Sequence, residues 1–509
     1  MAAPEPMKKL PRNPQLYEIN TRVWLNTLSR ENGRRITLGK VPREKWSRFK
    51  DVGMDLVWLM GVWLPSPQGL EIARNHPGLI QSYREALPDF SPDDVVGSPY
   101  AVAGYTLNPA LGEESELIQV REDLHRAGLG LILDFVPNHT SRDHPWVANH
   151  PERYVGAGSA DWFGAGDAFS NRCTGGETRW IAHGRDPYFP PWTDTAQIRA
   201  LSPETRKAVS EELSRLAEMC DGLRCDMAML LLNRVFQQTW GWWLERAAEP
   251  SPATEYWTDV LKPLRETNPD FLLIAEAYWG LEKDLLELGF DYAYDKARYD
   301  SLRSLDAPAY KHLLAEEGAR TSKMLRFLEN HDEDRMARVF PSQTIHSAAV
   351  IHATAPGLRF FHHGQLEGKK VKLPVQLKRE PDEPIDEGIA SFYRRLLAQT
   401  SGPLFKEGIG HVLIVEPAFS GDEGHRPVVA FGYEYEELRG VVAVNYSGQT
   451  ASGYLRFPEN FWRGWNQVRL LDVLKQPEDV YDREEDDLQS RGLYVKLEPF
   501  RFHFLIASR

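Results

Sequence analysis

Four short stretches, in a fixed order along the chain, decide the fold: Asp134-Phe135-Val136-Pro137-Asn138-His139, Gly222-Leu223-Arg224-Cys225-Asp226, Ala275-Glu276-Ala277 and Phe327-Leu328-Glu329-Asn330-His331-Asp332. Each lies at or just past the end of a short apolar run, and such runs are typical of buried strands. Where strands and helices alternate, parallel strands place the polar residues at their carboxyl ends on one face. The pattern therefore predicts a catalytic face built from the ends of several strands.

Strand-like and helix-like segments alternate over most of the chain, as βα units do. Helical periodicity fits the intervening segments; residues 203–217, for example, follow Ser202 as an N-cap and begin with Pro203. Eight strands are predicted, beginning near Leu16, Met54, Leu129, Leu223, Phe271, Phe290, Met324 and Leu358. Eight such repeats predict an α/β fold, a closed (β/α)₈ TIM barrel.

Two insertions and a C-terminal region depart from this repeat. A loop over residues 63–111 follows the second strand, and residues 140–201, too long for an ordinary βα loop, predict a subdomain inserted after strand 3. Alternating patterns beyond a helix at 385–399 predict a C-terminal antiparallel β-sandwich, in which the acidic run 482–487 is interpreted as a solvated loop. The expected domains are 1–139 and 202–400 for the barrel, 140–201 for the subdomain and 401–509 for the β-domain.

Composition and charge exclude several classes of partner. A net charge of −13 argues against nucleic acid, whose phosphates need clustered cations. No apolar run is long enough to span a bilayer, and Met1–Lys9 shows no apolar segment behind its charges. Cys173, Cys220 and Cys225 lack zinc spacing, which favours free thiols in a reducing compartment. We therefore expect a cytoplasmic protein without a membrane partner.

Three acids, Asp226, Glu276 and Asp332, lie at the ends of separate strands. A single acid there would as readily be a capping or ion-paired residue, since a carboxylate beside an apolar strand costs free energy unless it is paired or used. Several polar strand ends in one barrel instead indicate a site. Retaining glycosidases need this equipment: a carboxylate nucleophile, a protonated carboxylic acid opposite it, and further groups that stabilise an oxocarbenium-like transition state.

The four stretches resemble the four sequence regions of the α-amylase family of glycoside hydrolases. The resemblance implies that Asp226 is the nucleophile, Glu276 the acid/base, and Asp332 the third acid, which stabilises the transition state. It also implies a set of substrate-binding residues, in which Arg224 keeps Asp226 ionised and Tyr100 stacks on the sugar: Tyr100, Asp134, His139, Arg224 and His331. No cofactor is required by this reading, but calcium is possible because Asn138 resembles a family ligand position.

The chain departs from the family pattern at two places. Met229-Leu230 stands where many α-amylases have Lys-His, which predicts apolar contact with the leaving-group side of the substrate. Gly97 stands where exo-acting α-glucosidases commonly have an Asp that reads the terminal sugar, which weakens that interpretation.

The expected function is hydrolysis of α-1,4-linked glucans or malto-oligosaccharides through a covalent glycosyl-enzyme intermediate. The alternatives are an α-glucan transglycosylase, such as a glucanotransferase or maltosyltransferase, and with less support an exo-acting α-glucosidase. A non-catalytic relative such as an amino-acid-transporter heavy chain is disfavoured, because the three acids are present and no membrane span is evident.

Overall fold

A computed structural model, which describes residues 9–509, shows a closed parallel barrel of eight strands followed by a C-terminal region rich in β-sheet. The first eight residues of the stretch Met1–Lys9, on which the expected cytoplasmic location partly depends, lie outside the described residues. The strands are β1 (Gln15–Asn20), β2 (Leu56–Met60), β3 (Trp63–Pro65), β4 (Val102–Leu107), β5 (Gly130–Phe135), β6 (His139–Ser141), β7 (Gly156–Ala157), β8 (Ala168–Arg172), β9 (Thr178–Ala182), β10 (Thr195–Gln197), β11 (Gly222–Cys225), β12 (Leu272–Ala275), β13 (Tyr292–Tyr294), β14 (Met324–Arg326), β15 (Leu358–His362), β16 (Ile409–Val412), β17 (Ile414–Glu416), β18 (Val428–Tyr435), β19 (Leu438–Asn445), β20 (Ala451–Arg456), β21 (Gln467–Asp472), β22 (Asp479–Glu484), β23 (Leu493–Leu497) and β24 (Phe502–Ser508).

Helices cover the barrel and build parts of its insertions. They are α1 (Thr21–Asn32), α2 (Arg43–Asp51), α3 (Pro67–Asn75), α4 (Pro77–Ala86), α5 (Glu114–Arg126), α6 (Pro145–Asn149), α7 (Pro203–Leu216), α8 (Asn233–Arg246), α9 (Tyr256–Thr267), α10 (Glu282–Glu287), α11 (Lys296–Arg303), α12 (Ala307–Glu317), α13 (Met336–Val339), α14 (Ile345–Thr354), α15 (Glu387–Thr400), α16 (Pro403–Lys406) and α17 (Glu485–Ser490).

The barrel strands follow the order β1-β15-β14-β13-β12-β11-β5-β2 around the ring. Each contains one of the eight predicted strands, so the TIM-barrel prediction is confirmed. The apolar runs are continuous because these strands are buried on both faces, and every residue of β2, β5, β11 and β12 is buried. In this order β1 lies opposite β12, and that opposition fixes the two sides of the barrel mouth.

The segment 63–111, expected to be a loop, is structured. It contains the antiparallel pair β3 and β4 and the helices α3 and α4. Each helix begins with proline after a side-chain cap, because Ser66 accepts a hydrogen bond from Gly69 N and His76 accepts one from Leu79 N. The segment is therefore a helical insertion at the barrel mouth.

Residues 140–201 form a small antiparallel unit, with β10 paired to β6 and a three-stranded sheet in the order β7-β9-β8. Its own apolar cluster comprises Val147, Tyr154, Phe169, Ile181, Ala196 and Ile198, with Trp146 packed against it. Residue 140 lies within β6, so the boundary expected there stays a prediction.

The C-terminal region contains a six-stranded sheet, β16-β18-β19-β24-β21-β22, and a three-stranded sheet, β17-β20-β23, around a separate apolar cluster. The acidic run 482–487 is not a loop, because it spans the end of β22 and the start of α17. Cys173, Cys220 and Cys225 are buried free thiols, as expected. No helix between residues 9 and 509 is both long and apolar enough to cross a membrane.

Candidate active site

The guanidinium of Arg224 lies between two strand-end carboxylates. Its Nη1 donates to Asp226 Oδ1 at 2.7 Å, and its Nη2 lies 2.9 Å from Glu276 Oε2. Cys225 of β11 pairs with Ala275 of β12, so Asp226 and Glu276 leave adjacent strands at the same level. All three side chains are almost completely buried, so the cation and the two carboxyl groups interact at low dielectric.

The backbone after Asp226 holds the Glu276 carboxylate. Met227 has φ +44°, an uncommon value for a residue with a side chain, and its N–H donates to Glu276 Oε2 at 2.6 Å. Tyr278 Oη donates to the other oxygen, Oε1, at 2.8 Å. Both oxygens of Glu276 are therefore fixed by neighbours. The strained turn at Met227 is compensated by this contact, in keeping with the strain often found at functional sites.

Burial governs the titration of this pair. Loss of water raises the pKa of Glu276 to about 7, against the opposing charge of Arg224. Burial also raises the pKa of Asp226, and here the charge and the hydrogen bond of Arg224 both oppose it. At neutral pH a substantial fraction of the Glu276 side chains is therefore protonated.

The opposite side of the mouth holds a second chain of charged groups. His331 Nδ1 lies 2.5 Å from Glu18 Oε1, and His331 Nε2 lies 3.0 Å from Asp332 Oδ2 and 2.8 Å from Tyr100 Oη. Glu18 is completely buried on β1, whereas the Asp332 side chain is half exposed. The imidazole therefore connects a buried carboxylate to one that faces the cavity.

Ion pairing governs the titration of this chain. Although burial alone would lower it, the pKa of His331 is raised well above its usual value by the charges of Asp332 and Glu18. Burial would raise the pKa of Asp332, but the charge and the hydrogen bond of His331 hold the pKa of this carboxyl well below its usual range. His331 is a cation and Asp332 an anion at neutral pH.

A cavity of about 530 Å³ opens above these groups, at the carboxyl ends of the barrel strands. Its lining contains Asp226, Glu276, Asp332, Tyr100 and His139. Arg224 and His331 lie directly behind it, with the Arg224 cation 5.3 Å from the Tyr100 ring centre. The His139 ring packs on Trp192, and burial lowers the pKa of His139 to about 4, so its imidazole is neutral at pH 7.

Asp134 lies below the cavity and not in its lining. It is 1% exposed, and its Oδ2 accepts a hydrogen bond from Gly61 N at 3.0 Å. Burial raises the pKa of Asp134 to about 6, against the charge of Arg224. Its contacts connect strand ends beneath the site, and direct contact with a substrate stays a sequence prediction.

Asn138 does not offer the donors that calcium prefers. Its side chain is buried against Gln197, whose Nε2 donates to Asn138 Oδ1 at 3.1 Å and to Asn138 O at 2.9 Å. Calcium takes about six to eight oxygen ligands, usually including carboxylates. Over residues 9–509, no group of three or more His, Cys, Asp or Glu side chains is placed to hold a metal ion. The residues at Asn138 do not fit a calcium ion.

The polar residues of the site that sequence reasoning missed include Glu18, Tyr278 and Asp194. Glu18 interrupts an apolar strand, and that was a usable signal because an unpaired carboxylate is costly there. Tyr278 follows Glu276 by two residues, a spacing that puts both at one strand end. Asp194 lies in the subdomain and lines the cavity, and nothing in its sequence context marks it.

The side chains of Met229 and Leu230 lie away from the cavity, and the apolar contact expected on the leaving-group side stays a prediction. Both are buried, at 0% and 3% exposure, in the turn that follows Asp226, and only the neighbouring Met227 lines the cavity. The usual polar pair is absent, as the sequence indicates. The replacing side chains nevertheless point into the core.

An eight-stranded parallel barrel with three carboxylates around one cavity at its carboxyl face has the organisation of a TIM-barrel enzyme. A sequence model of the α-amylase catalytic domain matches residues 44–376, which is more than half of the chain. The chain belongs to the α-amylase family of glycoside hydrolases, and the resemblance inferred from the four stretches is confirmed.

Individual relatives are distant. Alpha-amylase 3 of Dictyoglomus thermophilum is 22% identical over 54% of this chain and 55% of its own length. The probable oligo-1,6-glucosidase 2 of Bacillus subtilis is 22% identical over 57% of this chain and 53% of its own. The chain thus spans about half the length of both curated relatives. The maltogenic α-amylase AmyB of Thermotoga neapolitana superposes with a TM-score of 0.67 at 17% identity, covering 98% of this chain and 99% of that one, which shows a shared fold.

Proposed function

We propose that the protein is a retaining glycoside hydrolase that cleaves α-1,4-linked glucans or malto-oligosaccharides. The observation that carries this proposal is the contact of one guanidinium, that of Arg224, with both Asp226 and Glu276. A retaining enzyme needs two carboxyl groups about 5–5.5 Å apart, and a shared cation keeps the two groups close. The similarity of the chain to an α-amylase, an oligo-1,6-glucosidase and a maltogenic α-amylase supports an α-glucan substrate.

The first chemical step forms an ester on Asp226. A carboxylate oxygen of Asp226 attacks the anomeric carbon while the bond to the leaving sugar's oxygen breaks, and Glu276 gives its proton to that oxygen. The raised pKa of Glu276, about 7, keeps the proton available near neutral pH. Arg224 favours the ionised form of Asp226, which the attack requires.

The second step reverses the roles. The Glu276 carboxylate takes a proton from a water molecule as the oxygen of that water attacks the anomeric carbon. The ester bond to Asp226 breaks at the same time. Two inversions return the original α-configuration. Asp332, held as an anion by His331, stabilises the positive charge that develops on the sugar in both steps.

A transglycosylase is the second candidate, because two exposed aromatic side chains meet close to Glu276, the residue expected to face the acceptor. Trp279, three residues after Glu276, meets Tyr188 of the inserted subdomain with ring centres 4.9 Å apart, and the two side chains are 43% and 61% exposed. Flat, exposed rings suit the faces of sugars, so an acceptor sugar could compete with water there.

The assignment of the nucleophile is tested with a fluorinated α-glycosyl trap followed by peptide mass spectrometry. We expect the label on the peptide that contains Asp226 and α-anomeric products in an NMR time course. A label on Asp332, or β-anomeric products, would contradict the mechanism.

Incubation with maltoheptaose separates the two candidate functions, since a hydrolase gives shorter chains and new reducing ends. A transglycosylase gives chains longer than seven units with nearly constant reducing ends.

The cellular compartment is part of the proposal. Three buried thiols without a disulfide partner support a reducing, cytoplasmic environment. Fractionation of the cells that make the protein tests this directly.

A further inference from the structure

Two chain segments meet across one side of the cavity. Val96 N, in the insertion after β2, donates to Gln376 O at 2.8 Å, in the loop after β15. Lys378 N donates to Asp94 O at 2.9 Å, and Arg379 Nε donates to Asp94 Oδ1 at 2.6 Å. These backbone and charged contacts join the α3–α4 insertion to residues 371–379, and we call the joined structure the end wall.

The end wall has an apolar core of its own, so it is a built element and not a chance meeting of loops. The cluster comprises Ala73, Tyr83, Ala86, Leu87, Val95 and Leu377, with Leu70, Leu79, Phe90, Val371 and Leu373 packed against it. Tyr83 and Leu377 are completely buried, one from each segment. The surface that this core supports faces the cavity with Ile72, Ala73, His76, Leu79, Val375 and Gln376.

The position of the end wall is fixed by the barrel order. Its two segments follow β2 and β15, the strands that flank β1, and β1 lies opposite β12. Glu276 ends β12, and an acid that protonates the leaving oxygen must lie beside the leaving group. The leaving group therefore extends toward β12, and the sugars on the other side of the cleaved bond extend toward the end wall. In an α-1,4-linked chain those sugars lead to the non-reducing end.

Asp194 supplies a cavity-lining carboxylate near this wall. It lines the cavity, and its carboxylate accepts a hydrogen bond from its own backbone N–H. Burial raises its pKa, against the hydrogen bond from its own backbone N–H and the nearby Arg142 and His76, of which His76 belongs to the end wall. A carboxylate can accept about four hydrogen bonds, so one backbone donor leaves acceptor sites that a ligand's hydroxyls can use in this desolvated place.

We propose that the end wall closes the cavity beyond the cleaved sugar and makes it a chain-end site, in which Asp194 accepts hydrogen bonds from hydroxyls of the non-reducing terminal sugar. This inference rests on the proposed glycosidase function. A continuous glucan cannot pass through the wall, so the enzyme takes chains from their non-reducing ends and releases short products. Gly97 has no side chain that could bind the hydroxyls of the terminal sugar, and Asp194, from a different segment, provides this contact.

A terminally blocked substrate tests the closed end. The enzyme is given p-nitrophenyl maltoheptaoside and its 4,6-O-ethylidene derivative, blocked on the non-reducing sugar, and products are separated by chromatography. We expect the free chain to be cut near its non-reducing end and the blocked chain to be cut at least about 100-fold more slowly. Equal rates, or cuts spread along the interior, would overturn the inference while leaving the glycosidase function intact. If neither substrate is cut, the proposed function fails and the inference with it.

The role of Asp194 is tested with Asp194→Ala and Asp194→Asn in the same assay. A hydrogen bond to a charged group spans about 10–100-fold in affinity, so kcat/KM on the free chain should fall by that factor, mainly through KM. The blocked chain should be affected less, which raises the blocked-to-free ratio. The exposed Glu177, in the same subdomain, provides the control Glu177→Gln, which should leave the ratio unchanged. A folded Asp194→Ala enzyme with an unaltered ratio and KM would overturn the assignment.

Discussion

The two sides of the candidate active site control their protons in opposite ways. On the β11 and β12 side, one cation, Arg224, lies between Asp226 and Glu276, and burial raises the pKa of both acids. On the side where β1 and β14 lie, the cation is His331, which lies between the buried Glu18 and the half-exposed Asp332. There the histidine charge lowers the pKa of Asp332.

The difference shows how three acids in one cavity acquire different tasks. Each of the three acids has a close cation. At Asp226 and Glu276 the loss of water outweighs the cation and raises the pKa, whereas at the half-exposed Asp332 the cation prevails and lowers it. The β12 side is consequently suited to donate a proton, and the β14 side to hold a fixed negative charge. Four substitutions test this comparison.

The largest effect is expected for Asp332→Asn, which removes the fixed negative charge and preserves the shape. We expect kcat to fall by on the order of 10⁴, about 5.5 kcal/mol of transition-state stabilisation, with little change in KM. Steady-state kinetics on malto-oligosaccharides provides the measurement. A variant with near-normal kcat would show that the β14 side has no electrostatic role.

Glu276→Gln should remove the proton donor of the other side. On natural glucans we expect a loss of about 10³-fold, within the range of general acid catalysis, and a smaller loss on substrates whose leaving groups need no proton. Wild-type activity should decline as the pH rises through about 7, where Glu276 ionises. The variant should lack this decline on the activated substrate, and equal losses on both substrates would contradict the acid role.

The same substitution should stabilise the protein at alkaline pH. The folded-state pKa of Glu276, about 7, lies above the ordinary value of 4.5, so the stability contributed by its bound proton is present below pH 4.5 and lost as the pH rises through 7. Glutamine stays neutral, and we expect Glu276→Gln to gain up to about 3 kcal/mol over wild type at pH 9. Denaturant unfolding at pH 4.5 and pH 9 measures the free energy of unfolding of both proteins. A difference between variant and wild type that is the same at both pH values would argue against a raised pKa.

Glu18→Gln should have a smaller effect, because Glu18 positions and charges His331 without reaching the cavity. Without this anion the pKa of His331 should fall, and Asp332 should lose part of its cation as the pH rises. The nearby His362 cannot replace the cation beside Asp332, because burial lowers the pKa of His362 well below the usual value and keeps it neutral. We expect about a 10-fold loss of kcat/KM that grows toward high pH. A uniform loss at every pH would indicate a purely structural role.

Much of the fold could be predicted because its signals are local. A buried parallel strand is a short continuous apolar run, and the polar residues that end such runs predicted the positions of Asp226, Glu276 and Asp332 around one cavity. The helices of residues 63–111 also have local start signals, since proline follows a capping residue at Ser66 and at His76.

Other parts of the site could not be predicted from local signals. Glu18 and His331 are 313 positions apart, and their contact exists only because the barrel places β1 near β14. The orientation of Met229 and Leu230 depends on a tight turn whose side chains face the core. Asp194 gains its place from the packing of the subdomain over the barrel mouth. In each case the deciding interaction is between segments distant in sequence.

The smallest effect is expected outside the charged groups, at the aromatic rim of the β12 side. Trp279 is 43% exposed and has φ +64°, so an unusual backbone conformation holds its ring beside Tyr188. If this rim holds acceptor sugars, Trp279→Ala should raise KM for maltoheptaose by about 2–10-fold, with kcat and the KM for maltotriose nearly unchanged. Trp242, 44% exposed on α8 and packed against Phe163, provides the control Trp242→Ala. Equal effects of the two substitutions on KM, or a rise in KM that does not depend on chain length, would show that the rim does not bind sugar. Glu276 and its neighbours would then be the only contacts proposed for the β12 side.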